Sequence, residues 1–148
     1  MTTPTQSESA LEHALIQQLE RLGYERVRID DEAAMLANLK RQLERHNGHI
    51  QLSASEFERV LHHLNTGTLV ERARILRDRF ALKRDGADGQ PVETLYLSFL
   101  NSDDWCRNDF QVTHQISHEG KRKNRYDVTL LINGLPLVKV DPENRTVI

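Results

Sequence analysis

The dipeptide Asn133-Gly134 stands between two apolar, alternating runs, and it constrains the fold of this chain more than any other feature. Asparagine and glycine tolerate the left-handed backbone of a tight turn, so the closing stretch NRYDVTLLINGLPLVKVDPENRTVI reads as strand, turn, strand. The length of the turn then decides which side chains share a face. A two-residue loop pairs Ile132 with Leu135 and Asp127 with Val140, which sends Asp127 and Asp141 to opposite faces. A three-residue loop with Gly134 left-handed pairs Leu131 with Leu135, and Asp127, Lys139, Asp141 and Glu143 then lie on one face. A slip of one residue exchanges the faces, so any chemistry of these acids depends on the register. The odd loop is the expectation.

On that register two carboxylates from neighbouring strands sit close enough to hold one hard cation. Mg²⁺ wants about six oxygen ligands and takes one or two carboxylates with waters and phosphate. Such an ion lowers the pKa of a bound water and offsets charge on a scissile phosphate. Two acids on one hairpin also describe solvated residues at a sheet edge, and spacing alone favours that plainer reading.

Upstream of the hairpin the pattern is helical first and extended later. Residues 1–7 read as a disordered lead-in and 8–148 as one domain. Ser9 and Glu12 have the spacing of a capping box, followed by Leu11, Leu15, Ile16, Leu19 and Leu22 at helical intervals, with Gly23 as the stop. YERVRI (24–29) alternates as a short strand. Asp30 or Asp31 caps a second helix carrying Met35, Leu36, Leu39 and Leu43, and Ser53 with Glu56 opens a third. Thr68 with Glu71 starts a further turn. RILRDRFALKR (from 74, to 84 at most) and VETLYLSFL (92–100) read as strands paired across the loop DGADGQP, SDDWC as one helical turn, and FQVTHQISH (110–118) as a strand. The fold class is therefore α/β, of the α+β kind, with N-terminal helices on a mixed, mainly antiparallel sheet.

Composition narrows the function. The chain has 148 residues and a net charge of −2, so any affinity for phosphate has to be local. One cysteine excludes an intrachain disulfide and fits a reducing compartment. No apolar run approaches the roughly 18 residues of a membrane span, and the polar N-terminus lacks the features of a signal peptide, so a soluble cytoplasmic protein with no membrane partner is expected.

The words QSESALEHALIQQLERLGYE, AAMLANLKRQLERHNG, NDFQVTHQ and NRYDVTLLINGLPLV, taken in order, resemble the N-terminal region of type I restriction enzyme R subunits. The resemblance covers residues 6 to about 140. It implies a restriction-endonuclease-like fold with a PD-(D/E)-x-K type site, Mg²⁺ as cofactor, double-stranded DNA as substrate, and modification and specificity subunits as partners. It implies ATP only for the full-length family protein, since no phosphate-binding loop of the G-x-x-x-x-G-K-[ST] type occurs in this chain.

Carried over by residue, Asp127 matches the first metal-binding aspartate, and Asp141 stands where the family has glutamate. Glu143 occupies the lysine position, with Lys139 as a candidate substitute. Glu12 resembles the family's early helix acid and is a candidate outer metal ligand. Lys121, Arg122, Lys123 and Arg125 are candidates for holding the DNA backbone, against the alternative of a solvated turn. Glutamate for lysine reverses a charge that positions water and offsets phosphate. Pro142 removes an N–H beside the second acid. The sequence therefore leaves two readings open: a nuclease domain, or a catalytically inactive truncated remnant that docks on DNA or subunits. Residues 141–148 are, on a third reading, not family sequence at all.

Elsewhere plainer readings are favoured. Arg72, Arg74, Arg77 and Arg79 read as a mixed surface strand, and His114 with His118 as strand residues rather than zinc ligands. Cys106 reads as a packed thiol, and His62 and His63 as helix-end imidazoles suited to the dipole.

Overall fold

The computed structural model describes residues 8–86, 92–114 and 128–140. They group into two compact units, Met1–Leu39 with Asp109–Ile148, and Lys40–Asn108.

The first unit is built on a four-stranded sheet in the order β1-β4-β5-β6. Its strands are β1 (Glu25–Arg26), β4 (Phe110–His114), β5 (Val128–Ile132) and β6 (Leu135–Val140). β1 runs parallel to β4, and β4, β5 and β6 are antiparallel in turn. Helix α1 (Glu8–Arg21) lays Ile16 against Val112 and Val128, with Leu15, Leu19, Tyr24 and Leu130 packed around them. These three core residues are at most 1% exposed. Alternation along β4 sends Val112 and His114 to the α1 face and Gln111 and Thr113 to the other. On that other face Asn38, from α2 (Glu32–His46), trades amide hydrogen bonds with Gln111 at 2.9 and 3.3 Å. Asp31 caps α2 by accepting from the Ala34 N–H at 2.7 Å. This is the helix-flanked mixed sheet that the resemblance implies.

The terminal hairpin forms, but its turn corrects the expected odd loop. Ile132 pairs with Leu135 and Leu131 with Pro136 across a two-residue turn, with Asn133 at φ 52° and Gly134 at φ 83°. Both central residues are left-handed because that backbone twist matches the strands, and Asn-Gly adopts it at low cost. Asn133 is held further by the β4 side: its N–H donates to the Asp109 carbonyl, and its Oδ1 accepts from the Asp109 N–H, both at 2.8 Å. Beyond the turn the register shifts. Leu130 pairs with Val138, Thr129 with Lys139 and Val128 with Val140, so Leu137 is a surplus residue in a β-bulge. One extra residue undoes the parity of the even turn.

The second unit holds the end of α2, α3 (Ala54–Leu64), α4 (Leu69–Arg77) and the hairpin of β2 (Phe80–Lys83) with β3 (Thr94–Leu97). Ser53 and Thr68 both form complete capping boxes, with Glu56 and Glu71. The run expected as a strand from residue 74 is helical up to Arg77, because the Thr68 cap starts a helix that the 74–77 side chains continue with Ile75 and Leu76 half-buried. YERVRI likewise forms a strand only at Glu25–Arg26, where β4 supplies a partner. A 3-10 turn, Trp105–Arg107, precedes β4. Cys106 lies on it exposed, not packed, since a single turn at the surface has no buried face to place it on. No described helix is long and apolar enough to cross a membrane.

Candidate functional site

β4, β5 and β6 align at one end of the first unit's sheet, where His114 lies opposite Val128 and Val128 opposite Val140. Directly paired residues project to one face, so His114 shares its face with Val112, Val128 and α1. Glu12 comes from α1 one turn before Ile16, at the register of the apolar stripe, and is only 2% exposed. Its Oε1 accepts from His114 Nδ1 at 2.7 Å. On the other side of the ring, His114 Nε2 lies 3.2 Å from Arg26 Nη2. The guanidinium has only donors, so Nε2 presents its lone pair to Arg26 and Nδ1 carries the proton. A buried carboxylate, a half-exposed imidazole and an exposed guanidinium thus form one line. That line opens on a cleft bordered by Arg26, Val27, Arg28, Ile29, Asp30, Thr113 and His114. Arg28 Nε donates to Asp30 Oδ1 at 2.9 Å, which raises the Arg28 pKa through that hydrogen bond and the accompanying charge attraction.

Asp127 immediately precedes Val128 and Asp141 immediately follows Val140. Both lie outside the described residues, as do Lys121, Arg122, Lys123, Arg125, His118, Pro142 and Glu143. The backbone of Lys139 is opposite Thr129, which is buried and faces away from α1 together with Thr113. Among the described residues no three His, Cys, Asp or Glu side chains come together as metal donors.

The second unit holds a dense polar cluster that sequence reading marked only as a helix cap. Glu56, the capping-box acid of α3, is 2% exposed and accepts four hydrogen bonds. Oε1 takes the Ser53 N–H at 2.8 Å and Arg84 Nη2 at 3.3 Å, and Oε2 takes Arg84 Nε at 3.2 Å and the Asp85 N–H at 2.9 Å. Burial alone raises its pKa, but the bonds from Arg84, Ser53 and Asp85 outweigh it and bring the value down to about 2. Asp85 in turn accepts from the Ser53 and Ser55 hydroxyls and from Arg59, and its pKa is lowered by those contacts. Arg84 also donates to the Gln51 carbonyl. The signal available in the sequence was the Ser53–Glu56 spacing, which marks a cap but not its second partner, 28 residues on. His63 stacks on Phe80 at 4.0 Å between ring centroids, and burial lowers its pKa. This corrects the expected dipole role: the ring serves there as an aromatic, and the cationic form is the disfavoured one.

The family model described as Type I restriction enzyme R protein N terminus matches residues 5–140. The chain is 48% identical over 144 residues to the Type I restriction enzyme SauCOLORF180P endonuclease subunit of Staphylococcus aureus (strain COL), covering 95% of this chain and 15% of that protein. It is 45% identical over 144 residues to the SsaAORF53P endonuclease subunit of Staphylococcus saprophyticus, with the same coverage. To the EcoprrI endonuclease subunit of Escherichia coli it is 36% identical over 151 residues, covering 99% of this chain and 47% of that protein. The chain thus spans less than half the length of each of these relatives.

Proposed function

The chain belongs to the type I restriction enzyme R protein N-terminal family, and from that premise we propose that it is the nuclease domain of such a subunit, cutting double-stranded DNA with Mg²⁺ held by Asp127 and Asp141. The register at the open end of the hairpin carries the reading. Val128 is opposite Val140. Asp127 and Asp141 adjoin that pair in sequence, and a ladder one residue longer would oppose them, which supports their acting together. Opposed residues have Cβ atoms about 4.5–5.5 Å apart, a separation at which two carboxylates can share one cation. Two hard oxygen donors suit Mg²⁺, which when bound offsets negative charge on the scissile phosphate. Lys139 stands two residues before Asp141 in sequence and takes the place of the lysine lost at Glu143. Glu12 faces the α1 side, so in this reading it acts through His114 rather than as an outer metal ligand. Lys121, Arg122, Lys123 and Arg125 belong to the segment that starts and ends at the paired residues His114 and Val128, and they hold the DNA backbone near the acids. ATP-driven motion and the modification and specificity subunits pertain to the longer family proteins.

Glu143 in the lysine position supports the second reading, an inactive module that only docks on DNA or subunits. Nicking of supercoiled plasmid separates the two. The 148-residue chain is expected to nick with millimolar Mg²⁺ and not with EDTA, and Asp127→Ala and Asp141→Asn are expected to abolish nicking. An inert wild-type chain at micromolar concentration would establish the docking module instead.

A further inference from the structure

The line from Glu12 through His114 to Arg26 has no task in cleavage as proposed, because it lies on the α1 face. It still carries a cost. Residue 12 sits on the stripe that continues into Leu15, Ile16 and Leu19, where an apolar side chain would pack without penalty. A carboxylate there is expensive to bury unless it is bonded to something the fold needs. It is bonded to the imidazole that fixes Arg26. We propose that the cleft between residues 26–30 and the end of β4 seats a backbone phosphate of duplex DNA, contacted by the Arg26 guanidinium and positioned by His114 and Glu12. The inference rests on DNA being the substrate and adds a contact on the α1 side of the sheet, separate from the proposed acids.

The chemistry fits an anion with several oxygens. A guanidinium presents five N–H donors in a planar fork suited to phosphate. His114 takes one of them with a neutral nitrogen, so the bond orients Arg26 without cancelling its charge at close range. Glu12, underneath, locks the ring so that this nitrogen and not the protonated one faces outward. The edge strand β1 is two residues long, and the chain beyond it stays beside β4 through the Val27 N–H to Val112 carbonyl bond at 2.9 Å. That bond ties the stretch after β1 to β4 next to the cleft. Arg28 stands on the same wall but is engaged by Asp30 and contributes less.

Fluorescence anisotropy with a labelled duplex in EDTA, where no cutting occurs, tests this across a salt series. Arg26→Gln, an exposed substitution, is expected to weaken binding about tenfold near 0.1 M salt and to reduce the slope of log K against log salt by about one. Arg28→Gln is expected to have a smaller effect. His114→Ala is expected to weaken binding while changing the slope less than Arg26→Gln does, since the guanidinium remains, and His114→Gln, which restores an acceptor, to recover part of the affinity. A merely structural role for His114 would not show this split. Wild-type affinity and slope in Arg26→Gln would overturn the inference, and so would failure of the wild-type chain to bind duplex. The nuclease reading is scored separately: Asp127→Ala keeps the wild-type salt slope in EDTA and loses only nicking.

Discussion

Replacing Glu56 by glutamine should produce a pH-dependent loss of stability whose size follows from the site. The carboxylate accepts two hydrogen bonds on each oxygen. An amide keeps one accepting oxygen and turns two N–H groups toward Arg84 and a backbone donor, so at least two bonds are lost. The ordinary glutamate value of 4.5 falls to about 2 in the fold. A depressed carboxyl stabilises the folded state fully above its unfolded value, and the contribution drains away as pH falls through the folded value. At about 1.4 kcal/mol per pH unit the shift is worth about 3 kcal/mol at pH 7, and the same linkage leaves roughly 1 kcal/mol at pH 3. Urea unfolding of wild type and Glu56→Gln at both pH values measures this, and the difference between the two proteins removes the titration of every other group. The expected difference is about 3 kcal/mol at pH 7, close to the range for breaking a buried pair, and it shrinks by about 2 kcal/mol on going to pH 3. A difference that stays constant with pH, or one below about 0.5 kcal/mol at pH 7, would refute the assignment of Glu56 as a buried, ionised acceptor.

Three further outcomes follow from the first unit. Gly134→Ala places a Cβ at φ 83° and should cost roughly 1–2 kcal/mol, read as a lower urea midpoint with an unchanged m value. Ile16→Ala removes the α1 side of a core cluster that is at most 1% exposed and should cost about 2–5 kcal/mol; a loss under 1 kcal/mol would mean that α1 does not dock as described. With Cys106→Ser as background, Leu130→Cys with Val138→Cys should oxidise to an intrachain disulfide, while Leu130→Cys with Leu137→Cys should stay reduced, as judged by mass spectrometry. The reverse pattern would remove the bulge and with it the pairing of Val128 with Val140.

The sequence was most legible where a local device acts alone. Ser53 with Glu56, Thr68 with Glu71 and Asn133-Gly134 each carry their geometry within four residues, and each forms. Legibility failed where the outcome belongs to a partner distant in the chain. RILRDRF alternates well enough for a strand, yet the Thr68 cap upstream commits residues 69–77 to helix. Glu12 read as the capping-box partner of Ser9 and a candidate metal ligand, whereas its bond to His114 joins residues far apart in the chain. Arg84 was indistinguishable from other surface arginines until α3 offered it Glu56.

The register of the hairpin shows how two local rules can disagree and still be met. Asn-Gly asks for a two-residue turn, since only that turn places both residues left-handed with a twist matching the strands. Held without interruption, that turn would set Asp127 against Val140 and separate the acids. The surplus Leu137 moves every pair beyond it by one, so that Val128 meets Val140. The bulge can sit there because β6 is the edge of the sheet, where disrupted pairing exposes backbone groups to solvent rather than to another strand. Pro136, exposed and next to the surplus residue, fits the same place, since an edge strand tolerates a residue with no N–H to give. Nothing in the alternation of VTLLINGLPLVKV marks that extra residue, because a bulge changes pairing without changing composition. The even turn and the pairing of Val128 with Val140 are therefore compatible, and the residue that reconciles them is an ordinary leucine.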